Sequence, residues 1–111
     1  MFGAAVVAGG DRRHRRHPMT FSIVARCARS GQFGIAISSS SPAVAARCAH
    51  VRAGVGAVAT QNVTNPALGP LVLHDLAAGA DAFAAVRAAV LGDGFGEFRQ
   101  LLAVEDRRAH V

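Results

Sequence analysis

Residues 52–70 read RAGVGAVATQNVTNPALGP, and the pattern of this stretch changes partway along it. Gly54 to Gln61 (GVGAVATQ) is a short β-prone run, and its glycines predict a bend or the close approach of another backbone, because Gly in a strand has no side chain to pack. Asn65-Pro66 then punctuates the chain, since the residue before Pro is pushed out of the helical region. Pro70 suits the first turn of a helix that continues through LVLHDLAA to Gly79, where glycine can take the left-handed C-terminal position. A second helix has Asp81 as its N-cap, places Phe83, Val86 and Val90 on one face, and ends at Gly92. Each helix is expected to bury one stripe against a sheet.

Upstream, Phe21 to Arg26 and Phe33 to Ser38 are rich in Phe, Ile and Val and flank the turn-prone CARSGQ with Gly31 in it, which predicts a β-hairpin. The serines Ser38 to Ser41, followed by Pro42, end the second strand; they either line a pocket there or supply turn chemistry, and the turn is the favoured reading. The Ala-rich AVAARCAHVRAG after them reads as a short helix or a crossing loop. Downstream, Phe98 to Val104 (FRQLLAV) is a fourth strand and EDRR a turn. Composition shifts abruptly at Pro18. The segment GGDRRHRRHP before it has too few periodic apolar residues to pack, so residues 1–18 are expected to form a disordered Arg-rich extension and residues 19–111 the domain.

With 111 residues, 51% of them apolar, the chain has room for one globular domain. Neither Trp nor Tyr occurs, so the core must come from Ala, Val, Leu, Ile and Phe. All 12 basic residues are arginine, and Arg12, Arg13, Arg15 and Arg16 with Asp11 account for +3 of the formal +5 charge. The rest is mildly basic, which argues against nucleic acid as a partner of the domain. The Arg-rich tail alone would bind phosphates, with strong salt dependence. No apolar run reaches the roughly 18 residues that span a bilayer. The run FGAAVVAGG precedes the basic cluster, the reverse of a secretory signal, so a cytoplasmic protein is expected. Cys27 and Cys48 lack metal-ligand spacing and read as ordinary buried thiols. His50 and His74 have no HxxxH or HxH partner, and Asp75 beside His74 reads as helix surface, so no metal is expected. Gly54 to Gly56 lacks the residues of a phosphate loop or a dinucleotide fingerprint, so no cofactor is expected either.

In order along the chain, MTFSIVAR, FGIAIS, RAGVGAVATQ with TNPALGP, LAAG before a capped helix, and RQLLAV resemble the bacterial family called domain of unknown function 1028. That family is grouped by fold with the N-terminal nucleophile (Ntn) hydrolases. The resemblance runs from Met19 to about Asp106. It implies an α+β fold of αββα type, two stacked antiparallel sheets with helices on the outer faces, of which this chain holds the N-terminal part with two consecutive helices on one face. It also implies a family start at Met19-Thr20 and further strands beyond EDRRAHV, reached through a His-Thr-Gly segment of which Ala109-His110 is either a remnant or an out-of-frame counterpart. The chain is therefore expected to be a fragment.

In an Ntn enzyme the first residue attacks a carbonyl with its hydroxyl while its free α-amine takes the proton. An α-amine has an ordinary pKa of about 7.7–8.0, so it is partly free base near neutrality. Thr20 is the expected nucleophile once Met19 is removed; within a longer chain its amine is held in a peptide bond. Its bland alternative is a strand-starting Thr in a fold without activity. Ser22, two residues on and on the same strand face, is the second hydroxyl, or a polar strand residue only. Gln61 and Asn62, at the end of the third strand, are the expected oxyanion donors. The expected function is hydrolysis of an amide or related bond in an unknown small-molecule substrate, with this chain an inactive fragment. The alternative is a non-catalytic binding or assembly domain whose uncovered apolar sheet would favour a homo-oligomer.

Overall fold

The computed structural model describes residues 2–9, 20–62, 64–106 and 109–110, the strands 2–9 and 109–110 by their backbone. The hairpin forms as the apolar pattern demands. Strand β2 (Thr20–Cys27) pairs antiparallel with β3 (Phe33–Ser38), Phe21 opposite Ser38 and Arg26 opposite Phe33. The turn closes through Gly31 at φ +73°, a value glycine adopts freely, with its N–H donating to the Cys27 carbonyl. Along β2 burial alternates, Ser22 and Val24 inward and Phe21 and Ile23 outward. Phe33, Ile35 and Ile37 of β3 join Val24 on the inner face.

The other edge of β2 is occupied. Phe2–Gly9 forms strand β1, antiparallel to β2 from Phe2 opposite Cys27 to Gly9 opposite Thr20. This differs from the disordered extension expected for residues 1–18: FGAAVVAG carries no charge and is apolar enough to extend a sheet whose edge is open. The basic segment 10–18 and Met19 lie outside the described residues.

The second sheet runs β4 (Ala49–Arg52), β5 (Gly56–Asn62), β6 (Arg99–Glu105) and β7 (Ala109–His110), each pair antiparallel. Its two central strands are buried on both faces. Ala57, Ala59, Leu102 and Val104 meet Val24 and the β3 side chains between the sheets. Val58, Leu101 and Ala103 face the opposite way, into a cluster with helices α2 (Leu68–Ala77) and α3 (Ala82–Gly92). The described chain is thus a mixed α+β fold in three layers: sheet, sheet, helices. Gly56 fits this packing, because a Cβ there would stand 2.6 Å from the Val104 carbonyl oxygen, the close backbone approach that its sequence predicts. Arg26 and Asp106 join the two sheets in an ion pair of 2.6 Å.

Three details depart from the sequence reading. The Ala-rich segment after Pro42 becomes both a short helix α1 (Ala45–Cys48) and the edge strand β4. Helix α2 begins at Leu68, two residues before Pro70, because a turn in which Asn65 Oδ1 accepts the Ala67 N–H starts it early. In α3 Asp81 caps the helix as expected, accepting the Ala84 N–H at 2.8 Å, yet Phe83 is 52% exposed. The buried stripe is Ala82, Ala85, Val86 and Ala89, spaced i, i+3, i+4, i+7, and its small side chains let the helix lie close to the sheet. No helix among the described residues is long and apolar enough to cross a membrane.

Candidate functional site

The register of the hairpin decides where the first hydroxyl goes. With Phe21 opposite Ser38, the next residues outward, Thr20 and Ser39, meet at the end of the sheet, and their hydroxyl oxygens are 3.0 Å apart. Ser22 and Thr20 share the inward face, and at that end β2 lies over β5. There the buried Ser22 hydroxyl donates to Gln61 Oε1 at 2.5 Å, and Gln61 Nε2 donates to Gln100 Oε1 on β6 at 2.9 Å. A buried side-chain amide costs stability unless its groups are paired. Gln61, 2% exposed, has its carbonyl and one N–H paired, and so is held in one orientation with a second N–H to offer.

Thr20 and Gln61 line the same pocket, of about 380 Å³. Ser39, Ser41, Thr64, Cys48 and Arg47 complete its polar wall, with Val44 and Pro66 beside them. Helix α1, which carries Arg47 and Cys48, is fixed to the floor from two sides: the Thr60 hydroxyl donates to the Arg47 carbonyl at 3.5 Å, and the Cys48 sulfur lies 3.7 Å from the Thr64 hydroxyl. The loop into α1 turns through Ala43 at φ +49°, left-handed backbone that costs a non-glycine residue of order 1–3 kcal/mol. Arg47 is exposed, and no carboxylate occurs among the described lining residues.

Of the residues expected to act, the structure brings together Thr20 and Gln61. The backbone of Asn62 ends β5 opposite Arg99, and its side chain lies outside the described residues. Ser22 is 3% exposed and reaches Gln61, so it orients the amide and is absent from the lining of the Thr20 pocket. The serine run proves to be both alternatives at once: Ser39 accepts the Ser41 N–H in a turn, and the two line the pocket. Arg47, Thr64 and Gln100 were not singled out in the sequence, and Cys48 was read only as a buried thiol, because none of them stands in a motif or spacing that signals a site. Only the tandem serines carried a signal. Elsewhere, Cys27 is half-buried instead of fully buried, and the Ser30 hydroxyl draws its thiol below the ordinary range. His50 packs its ring against Gly69 of α2, where a Cβ would stand 2.1 Å from the ring, and His74 contacts Asp75 on the exposed surface. Among the described residues no three His, Cys, Asp or Glu side chains gather into a metal-binding group.

Residues 20–111 match the model of a family of unknown function, DUF1028. A crystal structure of protein SPO2555 from Silicibacter pomeroyi, described by the same family, superposes on 82% of this chain with a TM-score of 0.78 and 28% sequence identity. The chain spans 43% of that protein's length. No curated protein matches.

Proposed function

Taking as premise that the chain belongs to the DUF1028 family of unknown function, we propose that it supplies the nucleophile half of an Ntn-type hydrolase acting on an amide or related bond. The observation that carries this reading is the placement of Thr20. It is the first residue of the matched region, and it lies at a strand end on a polar pocket beside an oriented glutamine amide. In the reaction the Thr20 Oγ1 attacks the carbonyl carbon while its proton passes to the α-amine of the same residue. The tetrahedral oxyanion accepts the second Gln61 N–H, the leaving amine departs with the proton, and water then hydrolyses the ester to release the acid and restore the threonine. Such a donor is worth about 10²–10³ in kcat when its geometry is right.

In this sequence Thr20 follows Met19, so its nitrogen is an amide and not a base. We infer that activity awaits removal of everything through Met19, and that the complete αββα sandwich adds helices over the outer face of the β1–β3 sheet, with the present chain an inactive fragment of it. Two free cysteines accord with a reducing, cytoplasmic setting. The test is a chain initiated at Met19 and trimmed to Thr20, extended to the length of its relative and screened for amide hydrolysis, with the N-terminal peptide identified by mass. Turnover should vanish in Thr20→Ala and fall roughly 10²-fold or more in Gln61→Ala. Turnover that survives Thr20→Ala would end the nucleophile reading.

A second reading has its own observation. Phe21 and Ile23, 45% and 37% exposed, border a shallow apolar groove of about 370 Å³ on the outer face of the first sheet. An uncovered face of this kind favours a non-catalytic assembly domain in which two copies associate.

A further inference from the structure

Arg47 bears the only formal charge among the described residues that line the Thr20 pocket. No described ion pair uses its guanidinium; the three that occur involve Arg26, His74 and Arg99. Its backbone is anchored to β5 through the Thr60 hydroxyl, so the base of this side chain is fixed while its head remains exposed to the pocket and to solvent. Beside it stand the hydroxyls of Ser39 and Ser41, a group type that can donate a hydrogen bond to an anion. No described acidic side chain lines the cavity to repel one.

We propose that this pocket selects substrates in which the amide carries a carboxylate, the class of N-acyl amino acids, over neutral amides of the same shape. The guanidinium is planar and always charged, and its fork of N–H groups matches the two oxygens of a carboxylate. A volume of about 380 Å³ lies at the small end of ligand pockets, so the substrate is small. With the carboxylate on Arg47, the acyl end reaches toward Thr20 across the same cavity. This assignment rests on the Thr20 pocket being the substrate site. It does not require that Thr20 be catalytically active.

The test is therefore binding, made on the full chain. N-acetylglycine and N-acetylglycinamide differ only in carboxylate against carboxamide, and each is titrated at low ionic strength by calorimetry or by NMR shifts. N-acetylglycine should bind roughly threefold to fivefold more tightly than the amide, an ion pair at an exposed arginine being worth about that factor. Its affinity should fall as salt is raised. Arg47→Ala should abolish the preference and Arg47→Lys restore part of it. Arg29→Ala, which removes an equal charge from the exposed hairpin turn, should leave the preference intact. Equal binding of the two probes, binding of neither, or unchanged preference in Arg47→Ala would each overturn the proposal. Thr20→Ala separates it from the nucleophile reading: it should keep the carboxylate preference, whereas a trimmed, extended chain that binds N-acyl amino acids and hydrolyses no amide retains the anion site and loses the nucleophile.

Discussion

Gln61 has both ends of its amide engaged, one by Ser22 across the sheets and one by Gln100 along its own sheet. That dual attachment fixes the orientation of the amide, which is what the proposed oxyanion contact would need. Another pair at this scale concerns stability. Asp93 and Arg99 are joined at 2.5 Å with both side chains 10% exposed, clamping the turn between α3 and β6, and the guanidinium holds the Asp93 carboxyl below its ordinary 3.8. A depressed folded-state pKa adds stability that is fully present above the unfolded value and disappears as pH falls through the folded one. Asp93→Asn should therefore melt at lower temperature than the parent at pH 7, and the gap should close as the solution is acidified below about 4. A constant gap in pH-dependent thermal melts would show that the pairing is not the cause. Thr20 and Gln61 were singled out in the sequence because strand-end position and residue type coincide in them, and the fold sets both on one pocket. The tandem serines signalled a turn or a pocket, whereas Arg47 carried no signal, because its place on the pocket depends on a loop that turns back.

Caps and strand ends were readable at the level of elements, and burial faces less so. Asp81 starts α3 as the sequence predicts, and Asp81→Ala should cost about 1 kcal/mol, lowering the melting temperature by roughly 4–8 °C in a domain of this size. A shift within error would mean that the helix is held by its packing alone. The apolar periodicity of Phe83, Val86 and Val90 points to a stripe that the fold does not use in full. The sheet takes Ala82, Ala85, Val86 and Ala89 because close approach of helix to strand contributes more contact than one phenylalanine, whose ring is left 52% exposed. Strand β4 was hidden for a related reason. AHVR alternates apolar and polar over four residues only, too few to stand out after the Ala-rich run before it, and it is a strand because β5 offers it an edge to pair with.

The described molecule is a stack of two sheets and a layer of helices. Its middle sheet is covered on both faces, by the first sheet and by α2 with α3, while the outer face of the first sheet carries Phe21 and Ile23 toward solvent. If that face joins two copies, the wild type should run as a dimer or larger species in size-exclusion chromatography, and Phe21→Ser with Ile23→Thr should shift it to monomer. A folded wild-type monomer would remove the assembly reading. The sequence by itself determined the hairpin, the strand at Gly56 and both longer helices. Those depend on local apolar period, capping and turn residues, all of which act within a few positions. Only the tertiary structure decided that Phe2–Gly9 joins the first sheet, that α3 buries its alanines, and that Ser39, Arg47 and Gln61 surround Thr20. Each of these depends on which backbone edge or side chain arrives from a distant part of the chain, and no local pattern encodes that.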